Sequence, residues 1–198
     1  MHEPRAKMAL GVGYATAPVG ADHMMNIHDT GYTAPGDALE KVAEVQRFEP
    51  MAFDDLGHQK MELFYHEVNW KHTLDSAIVC HFYPYDYNHV AEALSGVMGH
   101  DYDARATLAI GERAQTLSRL FNLREGFTAD DDKLPKRIMR AFEDGPLAGV
   151  EITDEAFYSA RNYWYSLMGW TETGVPTAER ITALGLAELL ADVAAPTA

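Results

Sequence analysis

Hydrophobic positions recur at helical spacing through most of the chain, and this predicts helices almost throughout. "DALEKVAEVQRF", Asp37 to Phe48, opens on a residue suited to cap a helix and closes before Pro50. Asp54 to His72 reads as a longer helix with Met61, Phe64, Tyr65 and Val68 on one face. Asn88 to Met98 is a short helix stopped by Gly99. Asp103 starts a long helix ending near Gly126, in which Ile110, Ala114, Leu117 and Phe121 trace an apolar stripe. Leu117 and Phe121 are therefore expected to be buried. Asp131 to Phe142 is read as the next helix. Thr153 caps another, with Phe157, Ala160, Trp164 and Leu167 or Met168 inward. Thr177 caps the closing pieces, "TAERITALGL" and "AELLADV". No strand-type alternation extends beyond a few residues, so the fold class is all-α, an irregular helical bundle.

Composition narrows the partners. The chain has 198 residues, 47% hydrophobic, enough for one domain or two small lobes with a real core. Lys and Arg number 16 against 30 Asp and Glu, a formal net charge of −14. A surface this acidic repels nucleic acid and anionic membrane, so neither is an expected partner. The N-terminal run "MHEPRAKMALGVGYATAPVGADHMM" holds no apolar stretch of membrane or signal length. One cysteine forms no intramolecular disulfide, which fits a reducing cytoplasm.

Chemistry is less legible from spacing. "GVGYAT", Gly11 to Thr16, lacks the preceding strand and third glycine of a dinucleotide loop; close helix packing explains the glycines better. Nine histidines invite a metal reading. Yet "HEVNWKH", His66 to His72, and "DHMMNIHD", with His23 and His28 five apart, lack the i, i+4 pair that sets two imidazoles on one helical face. Cys80, in "TLDSAIVCHFYP", has no second cysteine to complete a zinc site. Taken alone it reads as a small buried side chain.

A resemblance adds more. "GERAQTLSRLFNLREGFTADDDKLPKR", Gly111 to Arg137, resembles a signature of the tungsten- or molybdenum-dependent aldehyde ferredoxin oxidoreductases: G-E-R, then R-x-F-N-x-R-E-G, then D-D-x-L-P-x-R. "YWYSLMGWTETGVPTAERITALGL", Tyr163 to Leu186, resembles that family's ending. "HEPR" and "GYATAPVGADHM" resemble its H-D-P-R and Y-A-T-x-x-R-G-A-D-H segments.

The resemblance implies the C-terminal helical region of such an enzyme, with residues 1–72 ending the second domain and starting the third, and residues 73–198 forming the rest of the third. It implies that the pterin-cradling β domain lies upstream, and that "MHEPR" opens inside a motif, as in a truncated frame or a split enzyme. Asp75 and Cys80 align with the family's D-x-x-G-L-C: the aspartate and the backbone at Ile78 and Val79 face a tungsten or molybdenum bis-pterin, and Cys80 is one ligand of a [4Fe-4S] cluster. Ile78 and Val79 stand where glycine and leucine are usual, and Val19 where arginine is usual. His23 falls at the histidine that moves a proton near the metal. The other three cluster ligands lie upstream. The implied partners are the missing N-terminal part, ferredoxin and a small aldehyde, with homo-oligomerisation left open. A non-catalytic helical subunit that kept the fold and lost the cofactors is the alternative.

Overall fold

The computed structural model describes residues 2–188. Eight α-helices are described: α1 (Met8–Thr16), α2 (Asp37–Val42), α3 (His58–Ser76), α4 (Tyr87–Met98), α5 (Ala104–Arg124), α6 (Lys136–Met139), α7 (Asp154–Leu167) and α8 (Ala178–Ala183). Among the described residues there is no strand, only isolated bridges between Phe142 and Ala148 and between Trp170 and Pro176. The all-α expectation holds. Most of "AELLADV" lies outside the described residues.

Local chemistry sets several helix ends as the sequence predicts. Asp103 accepts from the Ala106 amide at 2.7 Å, Thr153 from Ala156 at 3.2 Å and Thr177 from Arg180 at 3.2 Å. Gly99 closes α4 in the left-handed region, φ 76°.

Three expectations shift. α2 stops at Val42, because the chain tightens into turns that send Val45 and Phe48 into the core. α3 begins at His58 rather than Asp54: the Asp55 carboxylate accepts from the Gly57 amide at 2.7 Å and holds that stretch in a turn. In place of a helix over 131–142 there is one turn, Lys136–Met139. Pro135 has no amide to donate, and Asp132 and Leu134 are drawn into the interior.

α3 is the central strut. It packs along α5 and against α7, where Phe64 meets Trp164 edge-on at 5.0 Å. Phe157, Ala160, Trp164 and Met168 are buried along α7 as expected.

The α3–α5 contact is mainly polar. The Thr73 hydroxyl donates to the Thr107 carbonyl at 2.9 Å and accepts from the Gly111 amide at 3.1 Å. Gln115 donates to Asn69 at 2.7 Å. A side chain at Gly111 would collide with the Asn69 backbone, so glycine sets how closely the helices approach. This overturns the apolar stripe. The inward face of α5 carries Thr107, Leu108, Gly111, Glu112, Gln115, Thr116 and Arg119, while Leu117 and Phe121 are 42% and 54% exposed.

α1 is buried and enters the core through a long-range cap. Asp29 accepts from the Ala9 and Leu10 amides, both at 3.1 Å, and pairs with the wholly buried Lys60 of α3 at 3.4 Å. Lys60 also donates to the Ala52 carbonyl at 2.9 Å. Gly13 makes room for the Asn26 side chain, not for a second helix.

Candidate functional site

The residues singled out by sequence lie on two segments that follow helices. Asp75 sits in the last turn of α3, its carboxylate half exposed. Beyond Ala77 the chain leaves the helix through paired bonds: the Ile78 amide to the Asp75 carbonyl at 3.1 Å, and the Val79 amide to the Leu74 carbonyl at 2.8 Å. That ending requires a left-handed residue, and Ile78 supplies it with φ 58°, the one non-glycine at positive φ among the described residues. The backbone shape that glycine would give is thus present, and the isoleucine side chain stands 93% exposed. Val79 packs against the core. Cys80 is free and exposed, which corrects the reading of it as a buried side chain. The thiol leaves the core because the helix ending turns the chain outward.

The second segment runs from the end of α1 through Val19, which is exposed, to His28. The Asp22 carboxylate accepts from the Met24 amide at 2.8 Å, fixing the turn that carries the half-buried His23. The imidazoles of His2, His23 and His28 gather edge-to-face, with centroids 4.8 to 6.2 Å apart. Lys7 donates to His28 Nδ1 at 3.0 Å, which leaves His28 Nε2–H to donate to the His23 carbonyl at 3.1 Å. Burial, aided by the Lys7 charge, lowers His28 to about 4, so it is neutral at pH 7. Burial likewise lowers Lys7, against the pull of Asp29.

His81 joins the two segments. Its Nδ1 lies 3.2 Å from the Met24 carbonyl and its Nε2 2.6 Å from the Asp75 carboxylate. Neither histidine spacing nor the motif resemblance singles out His81; its position directly after Cys80 in the chain is the signal that could have found it. Behind the pair lies His72, buried, with Nε2 lacking a hydrogen-bond partner among the described residues. Burial lowers His72 to about 4 against the opposing Asp75 and Asp22 charges. His23, Asp75 and Cys80 therefore share one region of the molecule, connected through His81.

Among the described residues, no group of three or more His, Cys, Asp or Glu could hold a metal ion by itself. The donor set nevertheless suits a shared site. An exposed thiol is a soft ligand for one iron, and an open carboxylate can accept from a heterocyclic N–H.

The residues of the Gly111–Arg137 signature act elsewhere, as joints. Glu112 pairs with Arg180 and accepts from Tyr65. The Arg113 guanidinium donates to the Leu184 carbonyl. Arg119 donates to the Gly174 carbonyl at 2.8 Å and pairs with the buried Asp132 at 2.9 Å, which also accepts from the Tyr165 hydroxyl. Asn122 donates to the Pro18 carbonyl at 2.9 Å, bracing the loop that leads to His23.

A family model described as aldehyde ferredoxin oxidoreductase, domains 2 & 3, matches residues 1–186. The chain belongs to the aldehyde ferredoxin oxidoreductase family. Tungsten-containing aldehyde ferredoxin oxidoreductase of Pyrococcus furiosus is 30% identical over 194 residues, covering 94% of this chain and 29% of that protein. Its counterpart in Thermococcus kodakarensis is 29% identical over 196 residues, covering 96% of this chain and 30% of that protein. The chain thus spans about three-tenths of the length of these family members. The active-site complex BamBC of benzoyl coenzyme A reductase, solved with 1,5-dienoyl-CoA, superposes over the whole chain and 33% of its own, at TM-score 0.64 and 17% identity. That likeness is one of fold alone. Among the described residues, no helix is long and apolar enough to cross a membrane.

Proposed function

We propose that this chain is the C-terminal helical part of an enzyme that oxidises small aldehydes to carboxylic acids and passes the electrons through a [4Fe-4S] cluster to ferredoxin. It contributes His23, Asp75 and Cys80 to a site completed by residues outside it, and takes the second-to-third domain division at 72/73. The observation that supports this reading is the approach of the His23 and Asp75–Cys80 segments through His81. The exposed apolar residues Ile78, Phe82, Tyr83, Val97 and Met98 near Cys80 and on α4 suit coverage by the remaining part of such an enzyme.

The overall reaction, aldehyde plus water to acid plus two electrons and two protons, sets the tasks. A bound bis-pterin tungsten or molybdenum centre would supply the two-electron chemistry and the cluster the one-electron relay. Cys80 would ligate one iron, and Asp75 would accept hydrogen bonds from the pterin. His23 would take a proton released in the oxidation, a role open to an imidazole near neutral pH. His28 and Lys7 hold the backbone at His23 in place. One observation favours the non-catalytic alternative: the Ile78 side chain projects where the resemblance expects glycine.

Co-production of this chain with a family N-terminal part decides between them. The enzyme reading expects a brown complex containing iron and tungsten or molybdenum that reduces a viologen dye with aldehyde. Cys80→Ser should lower its iron content and slow electron delivery to ferredoxin. A complex that forms without iron, or with iron untouched by Cys80→Ser, overturns the roles assigned here.

A further inference from the structure

Only one side-chain bridge connects the two segments of the candidate site in the described hydrogen-bond network, and its residue carries no assigned role. His81 is 9% exposed at its side chain, and the two groups it touches come from positions 57 residues back and 6 residues back along the chain. A carbonyl and a carboxylate flank the ring, and the ring presents one nitrogen to each. The ring has no remaining polar atom, and its burial limits rotation. One end sets the Asp75 carboxylate, which is otherwise half exposed and free to swing. The other end grips the backbone next to His23, inside the turn that Asp22 shapes.

We propose that His81 is a positioning residue: a clasp that fixes the Asp75 carboxylate and holds the His23 turn at a set distance from the Asp75–Cys80 loop. Its importance to turnover rests on the aldehyde-oxidising reading, whereas the clasp itself does not. The arrangement places an acceptor for a ligand and a proton-moving imidazole on opposite sides of one rigid ring. Asp75 alone could not do this. No hydrogen bond described here links it to the His23 segment, and α3 fixes only its backbone.

Peptide-level hydrogen exchange on the chain tests the clasp without cofactors. His81→Leu should speed exchange about tenfold in residues 20–28 and 77–83 together, leaving the α3–α5 contact unchanged. His81→Gln, whose amide offers two N–H donors, should bring both segments back to within about threefold of the parent. If His81→Leu unfolds the whole chain, Asp75→Ala serves instead: it should loosen residues 20–28 about threefold or more, although Asp75 makes no described hydrogen bond or ion pair with them. Unchanged exchange in residues 20–28 for either variant, or a Gln variant behaving like Leu, overturns the proposal. In the co-produced complex, His81→Leu should lower kcat about tenfold with KM nearly constant, and His81→Gln should restore it. A parent complex with no aldehyde activity would defeat the functional reading while the exchange result still judged the clasp.

Discussion

Ile78 shows how much a single residue can reveal about a backbone. A β-branched side chain in the left-handed region costs about 1–3 kcal/mol, and here it gains no packing in return because it stands in solvent. Ile78→Gly should therefore stabilise the chain by about 1 kcal/mol after the entropy cost of glycine, read as a raised urea midpoint with unchanged m. A destabilised variant would mean that the exposed side chain makes contacts in solution. His23 is the second residue-scale test. If His23 has the proposed role, His23→Asn in the co-produced complex should lower turnover about 10²–10⁴-fold, the usual contribution of a placed acid–base group, with metal content unchanged. Turnover at the parent level would make His23 structural.

At the scale of elements, legibility followed distance along the chain. Asp103, Thr153 and Thr177 act on amides three residues away, so their caps were readable from the sequence. The inward face of α5 was not, because periodicity assigns apolar residues to the interior whereas α3 presents Asn69 and Thr73 to this helix. The positions of the candidate residues came from motif resemblance. Their connection through His81 could not, since it depends on a carbonyl 57 residues away. The revised helix face makes a paired prediction. Gly111→Val should cost several kcal/mol, about 3 or more, because it drives a side chain into the Asn69 backbone. Phe121→Ala should cost under about 1 kcal/mol, since Phe121 is exposed. Chemical denaturation of the two variants side by side checks both. A Phe121 variant losing more than Gly111→Val would reinstate the apolar stripe.

Over the whole molecule, buried histidines tie stability to acidity. Burial lowers His66 and His72 from 6.5 to about 4, so the unfolded chain binds protons that the folded one refuses between those values. Stability from these groups is fully present above pH 6.5 and declines as pH falls through about 4. Asp29 and Glu112, both raised by burial, act in the opposite sense. The diagnostic is therefore a difference: urea midpoints of the parent should fall between pH 6.5 and 4 more steeply than those of a His66→Gln, His72→Gln double variant. Parallel curves would mean that neither imidazole is excluded from solvent.

The Lys60–Asp29 pair carries a further consequence for the chemistry of amines. Lys60 is a lysine with no solvent-exposed surface, and its ammonium lies between the carboxylate that caps α1 and the Ala52 carbonyl. An acylating reagent must wait until α1 and α3 separate before it meets this amine, whereas surface lysines react at once. The rate at which mass is added at Lys60 is thus a clock for opening of the interior, set by one side chain and independent of any cofactor.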